Sequence, residues 1–270
     1  MKKIAGKLVF ALLVLFIVIP VAFPLIWILM SSFKTQVDIT ASPPRWLFEP
    51  TLQNYEKVFR EQDFLKFFIN STIVGVSATL VSLALGLPAA WSIARFKQTK
   101  LNLLILVARI MPGIALLLPW FLIFSRLGLI DSYTALVMAH VIIGLPLVVW
   151  IMSSFFEQVP LEIEESARVD GATRQRTFLS IILPISSPGV VTATTLSFLF
   201  SWNNFMFSQV LSMERTRTLP IAVYNFVSYA EIDWGAVMAA AVVIIAPAIV
   251  LTMFFQKYVI RGLTMGAVKG

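Results

Sequence analysis

The sequence predicts an all-α membrane protein, a single transmembrane domain over residues 1–270 that crosses the bilayer about six times. Three observations predict it. Of the 270 residues 59% are hydrophobic and 13% charged, with a mean hydropathy of +0.88, more apolar surface than a soluble core can hide. The charges leave long gaps that reach the roughly 20 apolar residues needed to cross about 30 Å of hydrocarbon. The lysines and arginines favour alternate intervals between those gaps.

Taken in order, the spans fall near 8–31, 67–94, 101–125, 133–156, 185–212 and 235–257. The first follows Met1-Lys2-Lys3, as a cleaved signal peptide would. It is too long for one, lacks an A-x-A site and contains Pro20 and Pro24, so it is expected as a retained span. Residues 32–66 form an outer segment in which Pro43, Pro44 and Pro50 favour an extended path and Leu52 to Phe59 a short surface helix. The second span carries Gly75, Ser77, Ala78, Ser82, Ala84 and Gly86, small residues that let helices approach closely where dispersion drives association.

Polar groups inside spans are candidates for function and each has a structural alternative. Arg109 lies about 12 Å into the third span. Snorkelling, or pairing with a carbonyl freed by Pro112, is favoured for it over substrate contact. His140, in the fourth, reads as a packed hydrogen-bonding residue rather than a proton relay, because no intramembrane carboxylate accompanies it. Trp120 and Trp150 suit an interfacial belt or packing. Asn203 and Asn204, placed near the middle of the fifth span beside Trp202 and Phe205, have two readings. An aromatic-plus-amide surface can stack a sugar and bond its hydroxyls, and the same amides can bond between helices.

With a cytoplasmic N-terminus, the inside segments hold twelve Lys and Arg against eight outside, so both termini are expected in the cytoplasm. The net charge of +7 is thereby explained by membrane insertion, with no need of nucleic acid. There is no cysteine and His140 is the single histidine, which leaves no thiolate or multi-histidine metal site.

The cytoplasmic loop 157–184 has a clear local grammar. Pro160 suits a first helical turn, Glu162, Glu164 and Glu165 sit near the positive end of the helix dipole, and Gly171 can take the left-handed conformation that stops the helix. A short exposed helix over about 160–170 is predicted, with Thr173 capping a second one and Pro184 marking entry to the fifth span. A solvated connection would explain an arbitrary charged loop. Here Glu165-Ser166-Ala167, Gly171 and Ile181-Ile182-Leu183-Pro184 follow the spacing of the EAA loop, with Ser166 in place of the first alanine. The chain thus resembles permease subunits of ATP-binding-cassette importers. Ser32-Phe33-Lys34-Thr35, Pro43-Pro44-Arg45-Trp46, Thr51 to Tyr55, Ser201 to Phe205 and the ending Arg261 to Gly270 extend the likeness to the carbohydrate branch, the maltose-type second permease.

The resemblance implies a type I importer bundle in a bacterial inner membrane, with 160–170 as a coupling helix seated on a separate ATPase. It implies ATPase-coupling roles for Glu165 and Asp170 as polar docking groups, and for Ala167 and Gly171 as small contact and helix stop. Arg168 pairs with either the ATPase or phospholipid. The implied partners are a second permease, two ATP-binding subunits, an extracytoplasmic solute-binding protein touched by 213–234, and membrane lipid. Trp202, Asn203, Asn204, Arg109 and His140 are the candidates along the substrate pathway. The nearest approach to a phosphate-binding loop, Gly262 to Gly270, lacks the spacing and the following Ser or Thr, so no cofactor is expected on this chain and ATP-Mg belongs to the ATPase subunits. An importer for another small solute, such as glycerol phosphate or a polyamine, would share this loop. An ion-coupled transporter would need intramembrane carboxylates, and every Asp and Glu falls outside the expected spans.

Overall fold

A computed structural model describes residues 2–61, 63–227 and 232–265. The described chain runs α1 (Lys2–Ser31), α2 (Gln36–Thr40), α3 (Gln53–Glu61), α4 (Phe64–Arg95), α5 (Thr99–Ile110), α6 (Gly113–Arg126), α7 (Tyr133–Glu157), α8 (Leu161–Val169), α9 (Arg174–Ile185), α10 (Ser187–Trp202), α11 (Met206–Leu211), α12 (Leu219–Ala222) and α13 (Trp234–Met265). Among the described residues four helices are long and apolar enough to cross a membrane, or up to six if each of two bent pairs counts as one span. Among the described residues the only extended pairing is an isolated bridge between Val227 and Ile232.

The chain divides into two compact units, residues up to 65 with 222–247, and residues 66–221 with those from 248 onward. In the first, the outer segment is tied by side chain to backbone. Asn54 donates to the carbonyls of Ser32 (2.9 Å) and Lys34 (2.8 Å). Gln36 bonds both Ile232 and the Trp234 N–H, and Lys57 pairs with Asp233 at 2.7 Å. Gly235 leaves the room that Asn54 occupies, since a Cβ there would lie 2.3 Å from its Oδ1. Lys34 is fully buried, its ammonium donating to the Arg45 carbonyl and lying over the rings of Trp27 and Phe48, which is how a buried cation is satisfied without a carboxylate. Along α1, Phe10, Phe16 and Ile17 are exposed, as a helix surrounded by lipid or another chain requires.

The second unit is a packed bundle of α4, α7 and α10. Its interior holds Ala90, Val148, Met152, Phe156, Ile182 and Ala193, each fully buried. Small residues set the spacing. A Cβ on Gly86 would meet Val148 at 2.8 Å, on Gly75 Phe198 at 3.0 Å, and on Gly189 the Phe155 ring at 2.5 Å.

Two expected spans depart from straight helices. The segment expected over 101–125 is broken between α5 and α6 with an 88° bend. Met111 takes ψ 128 at the break, because a residue before proline is driven from the helical region, and Pro112 follows at ψ 124. The segment over 185–212 is preceded by a π-helical stretch, Phe178–Ile182, turns by 80° at Ser186 and leaves the helix after Trp202. Pro184 and Pro188 remove two helix N–H donors around that turn.

Candidate functional site

The loop between α7 and α10 builds α8 as its spacing predicts. Pro160 precedes the first turn, Glu162 and Glu164 lie within it, and Arg168 lies in the last. Gly171 takes φ +81, its N–H bonds the Arg168 carbonyl at 3.1 Å, and the Ala172 N–H reaches Ala167 at 2.9 Å, the paired closure of a Schellman end. Thr173 caps α9 by accepting from the Arg176 N–H at 3.3 Å.

The two faces of α8 differ. Ala167 is buried, Ile163 packs against the core, and Glu164 is 92% covered, being only 8% exposed. Glu164 Oε1 accepts from the Arg95 guanidinium and, at 3.0 Å, from Trp91 Nε1, which ties α8 to the last turn of α4. Glu165, Arg168, Asp170 and Gly171 are exposed. A cavity of about 190 Å³ lies beside the link, lined by Trp91, Arg95, Glu164, Glu165, Arg168 and Arg174 among others. Of the adjacent acids, sequence reasoning chose Glu165 for docking and passed over Glu164. The available signal was the register: Glu164 lies three residues before Ala167 and so shares its face.

The pathway candidates are dispersed. Trp202 is 2% exposed, stacked on Phe198 with centroids 5.5 Å apart and edge-on to Phe68 at 5.6 Å. Asn203 and Asn204 lie at the end of α10 rather than mid-span. Asn203 closes that helix through its N–H to Leu199, and Asn204 Oδ1 accepts from the Phe207 N–H at 3.1 Å in the first turn of α11. The expected aromatic-plus-amide surface is therefore not assembled: the ring is packed inward while Asn203 is exposed and Asn204 engages backbone. His140 is buried with Nδ1 2.7 Å from Ser201 Oγ, a hydrogen bond between α7 and α10. Arg109 lies over the Trp150 ring at 4.3 Å. Of the two roles weighed for it, pairing with a carbonyl freed by Pro112 is not seen among the described residues, where that proline sits at the break between helices instead of kinking one.

At the opposite ends of α4 and α7 the structure assembles a second polar cluster that sequence reasoning missed. Asp131, at φ +59, accepts the N–H groups of Met213 (3.0 Å), Arg215 (3.0 Å) and Thr216 (2.9 Å), and the Thr216 hydroxyl at 2.8 Å. Partial burial raises the Asp131 pKa, but these four hydrogen bonds outweigh it and hold the carboxyl below its ordinary value. Asn70 donates to the carbonyls of Arg215 and Arg217 and accepts from Tyr133. Ser71 accepts from the Leu219 N–H at 2.8 Å.

Broken helices packed through small residues, with a short exposed helix clamped to the bundle at one end, define a polytopic membrane permease. Residues 82–265 match the family model described as a binding-protein-dependent transport system inner membrane component, and the chain belongs to that family. It is 35% identical to the trehalose transport system permease protein SugB of Mycobacterium tuberculosis, over 92% of each chain. It is 34% identical to the trehalose/maltose transport system permease protein MalG of Thermococcus litoralis, over 92% of this chain and 91% of that one. A crystal structure of a bacterial ABC transporter involved in import of the acidic polysaccharide alginate shares the fold, with a TM-score of 0.80 at 21% identity, covering 96% of this chain and 98% of that one. The protein is thus an inner-membrane permease of a binding-protein-dependent ABC importer.

Proposed function

We propose that this permease carries a sugar or sugar alcohol and that α8 couples it to separate ATPase subunits. The observation that carries the coupling is the two-sided build of α8: one face is clamped to α4 through Glu164, and the other presents Glu165, Arg168 and Asp170 to the cytoplasm. A short helix fixed at its base moves with the bundle when its free face is pushed. ATP is bound and hydrolysed by two partner chains, and a second permease of similar build completes the pathway. The sugar assignment is supported by the relatives named for trehalose and maltose. A solute-binding protein meets the outer side, where Asp131 and Asn70 hold residues 213–217 in shape. Both termini lie in the cytoplasm.

The test is mild-detergent purification of the tagged chain from its native membrane, mass identification of its companions, and a calorimetric screen of the accompanying binding protein against disaccharides, sugar alcohols, glycerol phosphate and polyamines. An ATPase, a second permease and a binding protein that takes a disaccharide or sugar alcohol are expected. A binding protein that answers only to a polyamine or glycerol phosphate would overturn the sugar assignment and leave the importer standing.

A further inference from the structure

Helix α4 is held by polar side chains at both ends, and each hold falls on a surface that an importer uses. At the cytoplasmic end Arg95 and Trp91 take the same oxygen of Glu164, the one acid of α8 that is buried. At the other end Asn70 donates to two carbonyls of the 213–217 segment, at 3.1 and 2.8 Å, and Ser71 accepts from Leu219. From Asn70 to Arg95 is 25 residues of continuous helix, about 37 Å at 1.5 Å per residue, enough to cross the hydrocarbon. Asn70 and Ser71 are buried, and what they bond in residues 215–219 is backbone, so the outer hold fixes the path of the chain and not merely a side chain.

We propose that α4 is the mechanical link between the ATPase-facing and outer surfaces of this permease, with Glu164 and Asn70 as its positioning residues. The proposal rests on α8 being the coupling helix and adds the route by which its movement reaches the far side. Directional, desolvated hydrogen bonds suit that task better than apolar contact alone, because an apolar face can slide while a charge-assisted bond resists displacement. The α8 movement is taken up at Glu164, passed along α4 through Arg95, and delivered by Asn70 to the backbone that presents Met213 and Arg215.

The chain has no cysteine, so single spin labels can be attached cleanly. Val169 on α8 and Met213 on the outer segment are both exposed and serve as reporters. In the purified whole importer, ATP with vanadate is expected to change the spectra of both labels. In E164Q, and separately in N70A, the Val169 label should still respond while the Met213 label loses its response. The swapped pair R95E/E164R should regain it, and the Val169 response retained in each single variant is the readout that a merely structural loss would not leave. E164Q keeps the side-chain volume and an acceptor for Trp91, so it tests the charge link without opening a cavity. A Met213 response that survives in either variant, or that is absent from the parent chain while Val169 responds, would overturn the link. A parent chain whose Val169 label ignores ATP and vanadate would overturn the coupling role of α8 itself.

Discussion

Two neighbouring acids divide two demands at the start of α8. Glu164 gives up water and needs the guanidinium of Arg95 and the indole N–H of Trp91 in exchange, whereas Glu165 keeps its hydration and its freedom to meet a partner. Reversing the exposed charge by E165K should therefore leave the chain inserted and abolish uptake by the assembled importer, read as normal membrane abundance with lost accumulation of the solute identified through the binding protein. E164A leaves a buried arginine without its carboxylate and should lower stability by roughly 3–5 kcal/mol, seen as a depressed melting temperature in detergent. Asp131 sets a pH limit at the other surface. Its folded pKa lies below the unfolded value, so its contribution is present at neutral pH, stays full above the unfolded pKa of about 3.9 and is lost as pH falls through the lower folded value. Protease sensitivity of the 213–217 segment should rise at the acid end of a pH series and should already be high at pH 7 in D131A.

At the scale of elements, glycine positions decide how closely helices approach and where they stop. Gly189 faces the Phe155 ring so closely that a methyl group would lie 2.5 Å away. G189A should force α7 and α10 apart and destabilise the bundle by about 1–3 kcal/mol, measured as a loss of thermal stability in detergent. The small-residue face of α4 was legible as a pattern, and the packing of Gly75 and Gly86 against Phe198 and Val148 follows that pattern. The breaks at Met111 and Ser186 were less legible. Proline inside a membrane helix is tolerated when its neighbours satisfy the freed carbonyls: Pro88 lies inside α4 and Pro146 inside α7, while Pro112 sits at a break. The residue type is the same in each case, and the neighbouring helices select between continuation and an 88° turn.

At the scale of the whole molecule, the orientation across the membrane is open to direct measurement because the natural sequence carries no thiol. A single cysteine at Val169 should react with a membrane-impermeant maleimide only from the cytoplasmic side, and one at Leu47 only from outside, both positions being strongly exposed. Labelling of both from one side would overturn the orientation.

The sequence by itself determined the fold class, the membrane setting and the small-residue face of α4, because long apolar runs and the charge between them are properties of the chain read in one dimension. It also specified the local stop of α8, since Gly171 supplies a left-handed closure that depends only on its nearest neighbours. Tertiary structure alone decided that Glu164 is the buried acid, that Trp202 turns into the bundle, and that Asp131 and Asn70 hold a segment more than 80 residues away in sequence. A side chain's partner across such a separation depends on which helices pack together, and periodicity within one helix names the face but not what that face will meet.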